Sequence, residues 1–386
     1  MSKRANGEGT VCKRSDGRFQ AKILVGYFEN GSPQFKTFTS KSQKEVISKM
    51  QAYKNEQSMG RTSPNEKLTL NDWLDIWITT YQAKNIKRSS LASYISIIEK
   101  HLKPAFMKVK LRNLKPHNLQ SFYNSLEETI SPKTIRNIHV TIHSALKRAF
   151  NDDLIISNPA DKVTLPKIVK KEIECFTLDA TKEYIKACKG ERLECAYVML
   201  PLMGLRRGEL LGLKWADCSK DFSTVHIQRA LYYKPEIING KRMKCSSYFD
   251  NLKTEKSNRT IGIPKPIRIL LKEHKKNQSM EILTAGQFYD KQDLIFCNEL
   301  GAPIEPDNFG KRYKTILKNN NIPHMKLHGL RHTCASILNE LGLSAKDIQE
   351  TLGHSNIATT LDTYTHLYDS RKTEVSNLIG DAFKGI

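Results

Sequence analysis

The sequence predicts a multidomain α+β protein, with a small three-stranded sheet and one helix at the front, an all-helical middle, and a mixed, mainly helical remainder carrying a small β-sheet. Three observations lead there. A chain of 386 residues is long for one core, at roughly 100 to 200 residues per domain. Its hydrophobic period changes twice, from alternation to a helical repeat and then to a mixture. Both changes fall at polar, basic or Gly- and Pro-containing stretches, residues 58–66 and 167–171, which read as linkers and place the domains at 1–60, 67–166 and 173–386.

In the front domain, Asp16-Gly17 and Asn30-Gly31 separate three β-rich runs, residues 9–14, 18–27 and 34–39. Within the second run Phe19, Ala21, Ile23 and Val25 share one face, while Arg18, Gln20 and Lys22 share the other. Ser40 or Ser42 then caps a helix running to about Gln57. In the middle domain, Leu68, Trp73, Trp77 and Tyr81 recur at helical spacing, and Ser89 or Ser90 caps a second helix carrying Leu91, Tyr94, Ile95 and Ile98. Pro116 opens a third with Leu119, Phe122 and Leu126, and Ser131-Pro132 starts a fourth with Ile135, Ile138, Ile142, Leu146 and Phe150. Beyond residue 173, helices are expected over Phe176–Lys189, Glu191–Met203 and Pro266–Lys276, and strands over Val225–Tyr233, Thr260–Ile263 and Asp293–Cys297. The last hundred residues read as helical.

The formal net charge is +22. Residues 1–60 hold 11 basic and 5 acidic side chains, residues 61–170 hold 18 and 9, and residues 171–386 hold 33 and 26. Most of the excess therefore lies in the front 170 residues, as expected if that part grips a polyanion. Nucleic-acid phosphates reward Lys and Arg through counterion release. An acidic membrane surface fits less well because no single basic amphipathic helix dominates. Arg18 and Lys22 lie on a strand face suited to the duplex major groove, although a solvated outer face fits the same pattern. Lys87 and Arg88 before one helix, and Lys133 and Arg136 at the start of another, sit where helix amino termini already attract phosphate.

No stretch approaches the ~18 to 20 apolar residues that span a bilayer, and the start, Met-Ser-Lys-Arg-Ala-Asn-Gly, lacks a signal peptide's apolar run. The eight cysteines form no Cys-x-x-Cys pair, so they read as reduced, mostly buried thiols of an intracellular, cytoplasmic protein.

Polar groups where helix cores do not need them carry the chemistry. In Gly204-Leu205-Arg206-Arg207-Gly208-Glu209 an Arg follows an apolar helix between glycines, with a carboxylate three residues on. In His328-Gly329-Leu330-Arg331-His332-Thr333, His328 and Arg331 are one turn apart, where imidazole and guanidinium address the same ligand oxygens. His328 and His332 also have the spacing of a zinc-binding helix, but Gly329 stands where that motif needs Glu. A third segment contains Gly353-His354-Ser355 and, ten residues beyond His354, Tyr364. Together these make an anion site with an oxygen nucleophile and no carboxylate cluster for Mg²⁺.

That constellation resembles the tyrosine recombinase, or phage integrase, family, including integrases of conjugative transposons and temperate phages. The matching positions are Arg206, the His328-x-x-Arg331 pair, His354 in Leu-Gly-His-Ser, and Tyr364 in Thr-Tyr-Thr-His. The family's β-hairpin lysine corresponds best to Lys253 in Lys-Thr-Glu-Lys-Ser-Asn-Arg, with Lys256 as the alternative. The resemblance implies an arm-type DNA-binding domain, a SAM-like core-binding domain and a catalytic domain, in that order. It further implies strand cleavage through a 3′-phosphotyrosine with no cofactor and no metal. Tyr364 would attack, Arg206 and Arg331 hold the phosphate, His328 take the phenolic proton, Lys253 protonate the leaving 5′-oxygen, and His354 hydrogen-bond the phosphate. Glu209 would orient Arg206. The implied partners are double-stranded DNA at core and arm sites, a homotetramer on two sites, and accessory directionality or DNA-bending proteins. A Xer-like resolvase and a catalytically silent DNA-binding regulator are the alternatives.

Overall fold

The computed structural model describes residues 9–27, 31–58, 67–169, 174–238, 240–252 and 257–353. The chain divides into two compact units, Met1–Val169 with Glu236–Met243, and Lys170–Pro235 with Lys244–Ile386.

In the first unit, β1 (Thr10–Lys13), β2 (Phe19–Tyr27) and β3 (Pro33–Ser40) form an antiparallel sheet in that order. Ala21 and Ile23 point into a small core with Val46 and Met50 of α1 (Gln43–Ser58). Alternation breaks at a bulge, where Leu24 pairs with Phe35 and Gly26 with Gln34. Val25 is the extra residue, so it is only half-buried and lies outside that core, contrary to the alternating pattern. Ser42 begins the helix, its carbonyl accepting the Val46 N–H at 3.2 Å. Ser40 instead donates its hydroxyl to Glu45.

The helical part of the unit has its own core of Trp73, Trp77, Leu119, Tyr123, Ile135, Ile138, Ile142 and Leu146. Helix α2 (Leu70–Ile76) is capped by Thr69, which exchanges hydrogen bonds with Asp72, and it widens into a π turn over Trp77–Gln82. Leu68 thus lies before the helix and not on its stripe; its carbonyl accepts the Leu111 N–H. Helix α3 (Arg88–Ile97) continues as a π turn over Ile98–Leu102 and starts at Lys87 without a side-chain cap, so Ser89 and Ser90 sit inside it. Helices α4 (Pro116–Leu126) and α5 (Pro132–Asn151) follow, the second capped by Ser131 on the Thr134 N–H. Phe150 is 45% exposed while Ala149 is fully buried. At 100° per residue, the stripe through Ile142, Leu146 and Ala149 has rotated past Phe150.

The second unit is built around α7 (Glu194–Met203), nearly all of which is buried. It packs against α9 (Lys265–Ala285) and α11 (Gly329–Glu340), with α6 (Leu178–Ala187), α8 (Arg207–Leu211), α10 (Pro306–Asn319) and α12 (Ala345–Leu352) around it. Two small strand pairs follow: β4 (Thr224–Ile227) runs antiparallel to β7 (Arg259–Gly262), and β5 (Arg229–Ile238) pairs with β6 (Lys241–Asn251), with Glu236–Met243 of this second pair belonging to the first unit. The expected strand Val225–Tyr233 therefore divides at Gln228 between two sheets. Asp293–Cys297 makes only isolated bridges, Lys214 to Leu294 and Cys297 to Pro303; Leu294, Ile295 and Phe296 are buried as a continuous apolar run. Helix α9 extends nine residues beyond Lys276 on a mostly polar sequence and stops at Gly286. No cysteine is in a disulfide; Cys188, Cys195, Cys297 and Cys334 are buried, Cys12 is exposed and the others are intermediate. Among the described residues no helix is long and apolar enough to cross a membrane.

Candidate active site

The end of α7 and the beginning of α8, α11 and β7 converge on the carboxyl end of α12. Gly204 makes this approach possible. It terminates α7 at φ +62°, and a Cβ there would lie 2.3 Å from Leu352 Cδ2 and 3.1 Å from Cys334 Sγ. Its carbonyl accepts Arg331 Nη1 at 2.7 Å. Arg331, at 3% exposure, stands in the first turn of α11 and also donates Nη2 to the Leu352 carbonyl at 2.7 Å.

The last carbonyls of a helix lack intrahelical partners and carry the negative end of its dipole. At the end of α12 three consecutive carbonyls, the last that of its C-cap Gly353, are met by three different arginines. The Thr351 carbonyl accepts Arg259 Nε at 2.9 Å, Leu352 accepts Arg331, and Gly353 accepts Arg206 Nη2 at 3.3 Å. Gly353 is left-handed at φ +68°, and a Cβ on it would sit 2.8 Å from Arg259 Nη1. The chain passes directly from this point to His354.

Arg206 is the N-cap residue immediately before α8, with 39% of its side chain open to solvent. Glu209, at 1% exposure, accepts both its backbone N–H and Nη1, and takes Arg259 Nη2 at 3.2 Å. Burial alone would raise the Glu209 carboxyl, but Arg259 and then Arg206 hold it below the ordinary carboxylate range. The site thus contains three guanidiniums and one buried carboxylate.

His328 opens to solvent at the start of α11. The protein packed behind it, then Arg331 and Arg206, lower its imidazole from the usual range. His332, half-buried with its ring edge-on to His328 at 5.1 Å, is lowered further, to about 4, by burial, His328 and Arg331. Thr333 ties the helix inward, its hydroxyl accepting the Phe176 N–H at 3.0 Å.

The structure thus brings Arg206, His328 and Arg331 together with Glu209. Lys253, Lys256, His354 and Tyr364 lie outside the described residues. Sequence reasoning missed Arg259 as a site residue, although it ends the quoted Lys-Thr-Glu-Lys-Ser-Asn-Arg stretch. In the first unit Arg18 is exposed and paired with Asp16, and Lys22 is exposed on the sheet face away from α1. Lys87 and Arg88 open α3, and Lys133 is exposed near the start of α5. Arg136 instead donates twice to the Pro166 carbonyl, at 3.2 and 3.0 Å, and so fastens the end of its own domain.

The profile of the phage integrase family matches residues 170–371, more than half of the chain. The chain belongs to this family. A second profile, the phage integrase N-terminal SAM-like domain, matches residues 69–127 of the recombinase. A tyrosine recombinase XerC-like protein of Caldanaerobacter subterraneus subsp. tengcongensis is 30% identical to it over 99% of this chain and 100% of that one. The ICEBs1 integrase of Bacillus subtilis is 23% identical over 96% and 99%. Among solved structures, the Tn1549 transposon integrase in complex with transposon right end DNA shares the fold at TM-score 0.66 and 21% identity, covering 81% of this chain and 100% of that one. A lambda integrase dimer bound to a COC′ core site does so at TM-score 0.58 and 16% identity, over 94% and 97%. The recombinase is a site-specific, tyrosine-type enzyme related to the integrases of transposons and phages. Neither the resolvase nor the silent-regulator alternative is favoured by these matches.

Proposed function

We propose that the recombinase integrates a mobile element by a reaction in which Tyr364 attacks a DNA phosphodiester. The new bond joins the tyrosine oxygen to phosphorus and the bond to the 5′-oxygen breaks, leaving a 3′-phosphotyrosine and a free 5′-hydroxyl. A 5′-hydroxyl from a second duplex reverses these steps and religates the strand, so no external energy source is consumed. The observation that carries this reading is the pair Arg206 and Arg331, fixed on the neighbouring carbonyls of Gly353 and Leu352 beside His328, immediately before His354. Preorganised guanidiniums stabilise the charge that grows on the non-bridging oxygens, and fixing them in advance removes their reorganisation cost.

A phenol with an ordinary pKa near ~10 needs help to ionise at neutral pH. His328, held neutral by its lowered pKa, accepts that proton, and Lys253 supplies one to the departing 5′-oxygen. His354 hydrogen-bonds the phosphate. Arg18 and Lys22 contact arm-site phosphates or bases, and Lys87, Arg88 and Lys133 contact core-site DNA. Arg136 has the weaker claim because the Pro166 carbonyl holds it. Four protomers act on two core sites, with accessory proteins setting direction.

The test is a core-site duplex nicked close to the cleavage point, so that the short fragment diffuses away and the intermediate accumulates. Unaltered protein is expected to form a DNA adduct that Tyr364→Phe does not. Equal adduct from both proteins would remove Tyr364 as nucleophile.

A further inference from the structure

Arg259 opens β7 and is a buried cation that none of the steps above uses. Its side chain is only 7% exposed, and it is aimed at three acceptors: the Thr351 carbonyl at 2.9 Å, the Ser257 carbonyl at 3.0 Å and Glu209 Oε2 at 3.2 Å. Glu209 is the carboxylate that also binds Arg206 through its backbone N–H and Nη1. One buried negative charge is therefore shared between two guanidiniums. Without Arg259 it would face Arg206 alone, and a closed one-to-one pair attracts a phosphate much less than a cation whose counter-charge is divided. The same guanidinium meets the Thr351 carbonyl, two residues before Gly353, whose own carbonyl receives Arg206.

We propose that Arg259 is a positioning residue for strand cleavage: it divides the charge of Glu209 so that Arg206 remains an effective phosphate ligand, and it pins the end of α12 from which the chain runs on to His354. The planar fork meets the three acceptors from three separate nitrogens, Nε, Nη1 and Nη2, whereas a lysine would have to reach all of them from one ammonium on a flexible stem. The inference rests on the proposed cleavage chemistry.

The experiment compares single-turnover adduct formation on the nicked core site with core-site Kd, and follows thermal unfolding as a folding control. Arg259→Lys keeps the charge but loses the fork, and is expected to slow cleavage about 10-fold while changing Kd less than about 3-fold. Arg259→Gln is expected to slow it about 100-fold. Glu209→Gln added to Arg259→Gln removes the unshared charge and should recover about 10-fold of that loss, a rescue that a merely structural arginine would not show. Full-rate cleavage by Arg259→Lys, no recovery in the double variant, or equal losses in cleavage and binding would overturn the proposal. If Arg259→Gln does not fold, the rate and Kd of Arg259→Lys decide. Absence of adduct from the unaltered protein would instead remove the underlying chemistry, so the two failures are distinct.

Discussion

The two halves of the molecule use positive charge in opposite ways. In the front sheet and the helices that follow it, cations such as Arg18, Lys22 and Lys133 lie on the surface, where water and salt screen them. In the second unit Arg331 and Arg259 are buried and Arg206 is half-open, each bound to named carbonyls or to Glu209. A buried guanidinium is costly unless its N–H groups are met, and α12 meets that need with carbonyls that would otherwise lack partners. Under the proposed function, surface charge serves affinity and the fixed arginines serve the reaction.

The largest expected effects separate these roles. Arg331→Ala should lower single-turnover cleavage by about 1000-fold and Arg206→Ala by about 100-fold or more, as for the loss of preorganised charge stabilisation. Core-site Kd should change less than about 3-fold, and equal losses in both would erase the contrast. At the other end of the chain, removing residues 1–60 should leave core cleavage within about 2-fold while abolishing binding to arm-site DNA. A truncated protein that no longer cleaves the core site would break the division of labour. A smaller effect is expected of the double substitution Arg18→Ala with Lys22→Ala, which should weaken arm-site binding about 10-fold at moderate salt. It should also flatten the slope of log K against log salt by about 1 to 2, since each neutralised phosphate contributes about 0.9. An unchanged slope would take both residues off the phosphates.

The smallest effect concerns pH. His332 takes up a proton near its ordinary value of 6.5 in the unfolded chain but only at about 4 when folded. Its neutral form thus stabilises the fold fully above pH 6.5, and that contribution is lost as pH falls from 6.5 to about 4. His332→Gln should flatten the fall in Tm over that window; the same fall in both proteins would assign the acid sensitivity elsewhere.

Much of this was readable from residue order because the dominant signals are local. Ile135, Ile138, Ile142 and Leu146 mark their helix by period alone, and Asp16-Gly17 marks its turn. Arg206 with Glu209, and His328 with Arg331, are each three residues apart, close enough to be read as units. What stayed hidden depends on pairing over distance. Strand β6 reads Lys-Arg-Met-Lys-Cys-Ser-Ser-Tyr-Phe-Asp-Asn, largely exposed over its first half and without apolar alternation, and it exists because β5 pairs with it. Arg259 could not be placed because its partners Glu209 and Thr351 are 50 and 92 residues away. Val25 was misplaced because a bulge shifts the face of every later residue by one, and nothing in the strand's own alternation announces it.

The proposed function has the site ringed by Arg206, His328 and Arg331 transfer a DNA strand to Tyr364. Digesting the covalent adduct trapped on a nicked core site and mapping the modified peptide by mass spectrometry tests this. The expected result is a single peptide spanning Tyr364, linked to the 3′-phosphate of the cleaved strand. A DNA linkage on any other residue, or through a 5′-phosphate, would contradict the claim.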